Sequence, residues 1–89
     1  MNDVKTFVTL VGEIIGRLES EDDVSYVVAH PRLFMQTEQG AGFAPGVCMT
    51  GEKEPNKCVI MKSTCVLTTN TDENLVKAWQ QQTTGLVLP

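Results

Sequence analysis

The sequence has no long hydrophobic run. No apolar stretch approaches the roughly 18 residues that a membrane-spanning helix needs. The N-terminus also lacks the charged-then-apolar pattern of a secretory signal that ends at small residues. With 89 residues the chain has the size of one domain, which excludes multidomain enzymes and repeat arrays. We therefore expect a single domain over residues 1–89 that is cytoplasmic and has no membrane partner.

An excess of basic residues is also lacking. The chain has 7 Lys and Arg against 11 Asp and Glu, a net charge of -4, whereas domains that bind nucleic acid through a broad face usually carry a basic excess. The acids concentrate in residues 19–23, which lack the alternating pattern of a calcium-binding loop. A solvated turn is the ordinary interpretation of this cluster, and a carboxylate cage for a hard cation is the alternative.

Motifs for metal binding and catalysis are scarce as well. Cys48, Cys58 and Cys65 contain no C-x-x-C pair, which favours reduced cysteines that act as small apolar core residues. Together with His30 they also make up the residue set of a Cys₃His zinc site, which is the alternative. The sequence has neither a Gly-x-Ser-x-Gly elbow nor a glycine-rich phosphate loop that ends in Lys-Ser or Lys-Thr. We expect no cofactor, no metal and no enzymatic activity.

The segment from Val4 to Leu18 is open to two interpretations. Apolar residues at heptad spacing favour an amphipathic helix. Against a helix, seven of the fifteen residues are β-branched, and a glycine in a helix interior costs roughly 1 kcal/mol. The segment is therefore predicted to form two strands, residues 6–11 and 13–20, that bend at the glycines.

A third β-rich run follows the acidic cluster. Residues 24–30 are predicted to form a strand that either ends at His30 and Pro31 or lies at a sheet edge there, because proline cannot donate to a β ladder. Residues 32–36 are expected to resume it.

Glycine and proline are dense in residues 37–57, which indicates a long irregular loop. One short strand is expected inside this loop, at residues 47–50. Two more strands, residues 58–62 and 65–69, are predicted around a tight connection.

One helix is predicted, over residues 71–82. Asn70 is positioned to cap its first amides. Trp79 lies on its apolar stripe and is expected to anchor the packing. Gly85 is expected to end the helix, and the tail at residues 86–88 is apolar enough to add an edge strand or to dock on a neighbour.

Two stretches resemble the two motifs of Sm-like proteins of the LSm and Hfq type. Residues 10–22, LVGEIIGRLESED, are similar to the first motif, in which apolar strand residues precede G…G-x-L/I-x-S-x-D. Residues 59–67, VIMKSTCVL, are similar to the second, an apolar strand that ends in a basic residue and turns tightly into another apolar strand. The chain resembles a divergent form of the kind found in marine T4-like phages. The resemblance implies a mostly β fold, a small and strongly bent five-stranded antiparallel Sm-like barrel, with the one helix at its C-terminal end.

The resemblance also implies a homo-oligomeric ring that forms when edge strands of neighbouring copies pair. The site residues that it indicates are Lys62, Ser63 and Thr64 in the second motif and Asp22 and Tyr26 around the end of the first. In a ring, Lys62 recurs in every subunit as a basic annulus, and Tyr26 offers a stacking face for single strands. The expected function is a non-enzymatic ring that binds single-stranded nucleic acid, RNA before DNA. The alternative is a structural or protein-interaction ring without nucleic-acid binding.

Overall fold

The structure is a computed structural model, and it describes residues 3–84. A 3₁₀ turn, Lys62–Thr64, separates the fifth strand from the sixth. The expected helix end at Gly85 and the edge strand or docking expected of residues 86–88 lie outside the described residues. The elements are β1 Val4–Thr9, β2 Gly12–Glu21, β3 Ser25–Thr37, β4 Gly40–Phe43, β5 Lys57–Met61, β6 Cys65–Asn70 and α1 Glu73–Thr84.

All six strands belong to one antiparallel sheet. The strand order is β4-β3-β2-β1-β6, and β5 pairs with the first part of β3. The mostly β fold with one C-terminal helix is confirmed. The five-stranded barrel is not, because the sheet has six strands and is not closed within the described residues.

The sixth strand comes from the segment predicted to be an irregular loop. Residues 40–43 form β4, which pairs with the end of β3 from Phe34↔Phe43 to Thr37↔Gly40. Gly40 has a φ of 117°, a conformation that glycine adopts without strain at the tight turn into β4. The short strand expected at residues 47–50 is wrong, since those residues form only bends.

The two interpretations of the first segment are resolved in favour of strands. β1 and β2 form a hairpin whose pairs run from Val4↔Arg17 to Thr9↔Gly12. Gly12 has a φ of 132°, so a side chain at this position would strain the turn into β2.

β3 runs through Pro31 and does not end there, which corrects the predicted break. The pairs between β2 and β3 pass from Arg17↔Ala29 to Ile15↔Arg32, so His30 and Pro31 form a bulge. His30 has a φ of 50° at this bulge. Because the bulge removes Pro31 from the ladder, its missing N–H costs no hydrogen bond.

Gly16 lies across the same bulge and allows β2 to approach β3 closely. A Cβ atom at Gly16 would lie 2.4 Å from Val28 Cγ1 and 3.0 Å from the carbonyl oxygen of Ala29. Only a residue without a side chain fits this contact. The contact and the bulge together bend the sheet.

The bent sheet has a core cluster on each face. One cluster consists of Phe7, Ile14, Val28 and Ile60, and the other of Val4, Ile15 and Trp79. Trp79 is 1% exposed, so its expected role as a packing anchor is confirmed. Its indole N–H donates to the carbonyl oxygen of His30 at 2.8 Å, which satisfies the polar end of the buried ring.

Helix α1 begins two residues later than predicted. Asp72 caps it, since Oδ2 of Asp72 accepts a hydrogen bond from the Asn74 N–H at 3.0 Å. Asn70, the predicted cap, is the last residue of β6 and accepts a hydrogen bond from Lys5 Nζ at 2.5 Å.

The segment between β4 and β5 is irregular but is tied to β3. The Arg32 side chain is 4% exposed, and its guanidinium donates to the carbonyl oxygens of Pro31 and Pro55 at 2.8 and 3.4 Å. Burial lowers the pKa of Arg32. The His30 N–H donates to the carbonyl oxygen of Asn56 at 2.8 Å. These contacts fix the end of the segment beside the bulge.

The cysteines are free, and two of them match the expectation. Cys58 and Cys65 pack half-buried against the first core cluster, whereas Cys48 is exposed and therefore is not a core residue.

Among residues 3–84, no three His, Cys, Asp or Glu side chains come together as a metal site. The helix in this range is too short and too polar to cross a membrane.

The contact at Gly16 predicts the effect of adding one methyl group. We expect Gly16→Ala to lower the free energy of unfolding by about 1–3 kcal/mol, because the methyl group overpacks the β2–β3 contact. Gly42→Ala is the matched control, since a Cβ there has no neighbour within 4 Å. Urea unfolding of both variants makes the comparison. Equal midpoints for the two variants would show that the β2–β3 contact is not tight.

Candidate nucleic-acid interface

The residues predicted as a binding site lie together at one corner of the sheet. The 3₁₀ turn Lys62–Thr64 packs against the turn between β2 and β3, where the Lys62 N–H donates to the carbonyl oxygen of Val24 at 2.8 Å. Ser25↔Met61 is the neighbouring β3–β5 pair. The structure therefore brings Asp22 and Tyr26 next to Lys62, Ser63 and Thr64, although 35 or more residues separate the two groups in sequence.

Lys62 is held by two neighbours. Its Nζ lies 2.9 Å from Oε2 of Glu21 and 5.1 Å from the ring centroid of Tyr26. The hydrogen bond with Glu21, followed by the charges of the surrounding acids, raises the pKa of Lys62. Lys62 therefore stays charged, but a carboxylate already neutralises it. Its side chain is 29% exposed.

Tyr26 is half-buried and has limited room to stack on a base. Its ring packs against Phe7 with centroids 5.1 Å apart and an interplanar angle of 54°. Lys62 lies over the ring. A base that stacked on Tyr26 would have to displace the ammonium group of Lys62.

Asp22 shapes the turn between β2 and β3. Its Oδ1 accepts hydrogen bonds from the N–H groups of Val24 and Ser25, both at 2.9 Å, and from the Ser25 hydroxyl at 3.1 Å. These bonds stabilise the carboxylate form and hold the pKa of Asp22 below its usual value of 3.8. Asp22 is therefore a structural residue of the turn.

Ser63 and Thr64 differ in what they offer to a ligand. The Thr64 hydroxyl donates to the carbonyl oxygen of Met61 at 2.7 Å, and the Thr64 carbonyl oxygen accepts from the Leu10 N–H at 2.9 Å. Ser63 is exposed, so its hydroxyl is accessible from solvent.

The charge around this corner is negative. Lys62 pairs with Glu21, and Lys57 pairs with Glu19 at 3.1 Å. The remaining acids of the cluster, Asp22 and Asp23, are exposed, and neither forms an ion pair within residues 3–84. The two lysines of this corner are therefore outnumbered by its four acids, which weakens the attraction of the corner for phosphate.

Sequence reasoning missed two parts of this region. It placed Glu21 in a solvated cluster and did not pair it with Lys62, because only the folded arrangement of β2 and β5 brings the two together. It also missed a polar hollow of about 500 Å³ beside Tyr26 and Glu21, to which Lys5, Thr68 and Asn70 contribute. The run of polar residues at the end of β6, Thr68 to Asn70, was the available signal for this hollow.

Comparison with known proteins adds no assignment to this geometry. No protein-family model matches the chain, and no curated protein matches it in sequence.

The turn at Asp22 predicts a pH effect on stability. Because folding lowers the pKa of Asp22, its contribution is present above the usual carboxyl pKa of 3.8 and is lost as the pH falls through the lower folded value. We expect Asp22→Ala to lower the free energy of unfolding at neutral pH. This loss relative to the unmodified protein should shrink as the pH falls. Asp23→Ala is the control, and urea unfolding over a pH series is the measurement. A loss of free energy of unfolding that stays the same in acid would contradict the structural role of the Asp22 carboxylate.

Proposed function

We propose that this protein is a non-enzymatic subunit that assembles with its own copies into an Sm-like ring with a structural or protein-interaction role. The observation that carries the proposal is the open edge of β5 and of β6. Within residues 3–84, β5 pairs only with β3 and β6 pairs only with β1. Each strand therefore presents a row of backbone N–H and C=O groups that can pair with another chain.

Large apolar side chains are exposed on both of these strands. On β5, Val59 and Met61 are 61% and 47% exposed, and on β6, Val66 and Leu67 are 67% and 50% exposed. Pairing β5 of one copy with β6 of the next would place these side chains beside those of the other copy and remove part of their apolar surface from water. The two surfaces differ, so the contact is heterologous, and a heterologous contact forms a ring when the rotation between copies closes.

Ring closure also addresses the stability of a small open sheet. A chain of 89 residues buries a modest fraction of its unfolded surface, of the order of 60–65%. Exposed edges add an aggregation hazard. Closing the ring would cover the open edges of β5 and β6 at once. The motif resemblance supports the same assembly.

The charge around Lys62 supports protein partners ahead of nucleic acid. A ring repeats Lys62, but it repeats Glu21, Asp22 and Asp23 as well, so the repeated surface is acidic. A phosphate would have to take Lys62 away from Glu21. For this reason we place the structural or protein-interaction role first, which reverses the order expected from the sequence.

Single-stranded nucleic acid, RNA before DNA, is the second candidate ligand. One arrangement favours it, namely a lysine over an aromatic ring beside the exposed hydroxyl of Ser63. Proteins that bind single strands combine cations with aromatic stacking surfaces in this way. If Lys62 separated from Glu21, both the ammonium group and the ring of Tyr26 would become available to a single strand.

The assembly is tested by placing a charge on one edge. We expect the unmodified protein to give one closed oligomer in native mass spectrometry. Val66→Lys should raise the dissociation constant at least about tenfold, because an unpaired charge within an apolar contact is costly. Met49→Lys is the matched control, since Met49 is exposed but lies on neither edge. A monomeric unmodified protein, or equal dissociation of both variants, would contradict the ring.

The two candidate roles are separated by titration with oligouridine. A structural or protein-interaction ring predicts no binding above a non-specific level, even at low salt. RNA binding would instead give an affinity that falls steeply with salt, rises in Glu21→Gln and collapses in Lys62→Glu. Lys57→Glu is the matched control, because Lys57 also pairs with a glutamate. The RNA pattern, with no loss in the control, would replace the first role by the second.

A further inference from the structure

An apolar groove lies between β3 and the irregular segment that follows β4. Its volume is about 430 Å³. The apolar side chains of its lining include Val11, Leu33, Met35, Val47 and Met49. A second apolar groove, of about 380 Å³, shares Val11 and Val47 with the first. The two grooves therefore meet at these side chains, and apolar surface continues from one groove into the other.

The apolar side chains of the first groove are in contact with water. Met49 is 99% exposed, Val11 is 73% exposed and Met35 is 44% exposed. Covering apolar surface of this kind is favourable. Methionine side chains are flexible, so they adjust their shape to an apolar ligand. The lining is therefore suited to a hydrocarbon chain.

The backbone beneath the first groove is already paired. The Leu33 carbonyl oxygen accepts from the Ala44 N–H at 2.8 Å, and the Leu33 N–H donates to the carbonyl oxygen of Gly46 at 3.4 Å. A peptide in the groove would bring its own amides to this apolar surface, and burying an amide without a partner is costly. A hydrocarbon chain has no amides to satisfy, so it fits the groove better than a peptide does.

Lys53 supplies the charge of this region. Within residues 3–84, it is the only charged residue that lines either groove. It forms no ion pair in this range, whereas Lys57 and Lys62 each pair with a glutamate. Glu52 and Glu54, its neighbours in sequence, line neither groove. The ammonium group of Lys53 is therefore available to a carboxylate beside the apolar lining.

We infer that the joined grooves bind a fatty acid, with its aliphatic chain on the apolar lining and its carboxylate at Lys53. Removal of the chain and of the exposed methionines from water supplies affinity. The charge of Lys53 is complementary to a carboxylate and would repel a cationic head group. The first groove contains no residue of β5 or β6, so binding there does not depend on the proposed ring.

Calorimetric titration with two amphiphiles of equal chain length tests the ligand class. Below their micelle concentrations, dodecanoate should bind at least about tenfold more tightly than dodecyltrimethylammonium. Non-specific uptake predicts the opposite order, because a protein with a net charge of -4 attracts the cation. Tighter or equal binding of the cationic amphiphile would overturn the inference.

Charge reversal at Lys53 tests the position of the carboxylate. Lys53→Glu should raise the dissociation constant of dodecanoate at least about fivefold, because the variant places a like charge beside the carboxylate. Lys77→Glu is the matched control, since Lys77 is also exposed, lines neither groove and gives the same change of net charge. This control should change the constant less than about twofold. Equal effects of the two variants would overturn the placement at Lys53.

NMR of methyl-labelled methionine locates the chain. Saturating dodecanoate should shift the signals of Met35 and Met49 in the unmodified protein. A second copy of the protein in the groove would instead move these signals with protein concentration when no ligand is present. Such a concentration dependence, or unchanged Met35 and Met49 signals at saturation, would overturn the inference.

Discussion

The close approach of β2 to β3 at Gly16 is the contact on which the shape of the sheet depends. A Cβ at this position would lie 2.4 Å from Val28 Cγ1, so the bend requires glycine. Bending brings together strands that the sheet order keeps apart. β5 and β6 are joined by the three residues Lys62–Thr64, yet within the described chain they pair with β3 and β1 and not with each other.

An open bent sheet connects the fold to the proposed function. If the sheet closed on itself, β5 and β6 would pair with each other, and neither strand would have an open edge for a neighbour. Because it stays open, the same strands carry the exposed apolar residues Val59 and Val66, and a second copy can cover them. The corner between these strands holds a lysine neutralised by Glu21. For these two reasons we propose assembly ahead of the capture of an anion.

Sequence reasoning reached the elements that local chemistry controls. β-branched residues around Gly12 predicted strands where heptad spacing alone favoured a helix, and the apolar stripe with Trp79 predicted α1. It missed features that depend on tertiary contacts. Glycine-rich β4 is ordered by pairing with β3, and Pro31 is tolerated because a bulge removes it from the ladder. The residues predicted as a site lie close together in the fold, and the site itself stays a prediction. The pairing of Lys62 with Glu21 depends on how the strands align and has no signal in the sequence.

Hydrogen exchange in β5 and β6 tests the central claim most directly. The amides on their outer edges have no partner strand within residues 3–84 of one chain, so in a monomer they exchange as freely as exposed loop amides. If copies pair edge to edge, these amides are protected at concentrations where the oligomer forms and lose protection on dilution. Outer-edge amides of β5 and β6 that exchange at unprotected rates at every concentration would contradict the account.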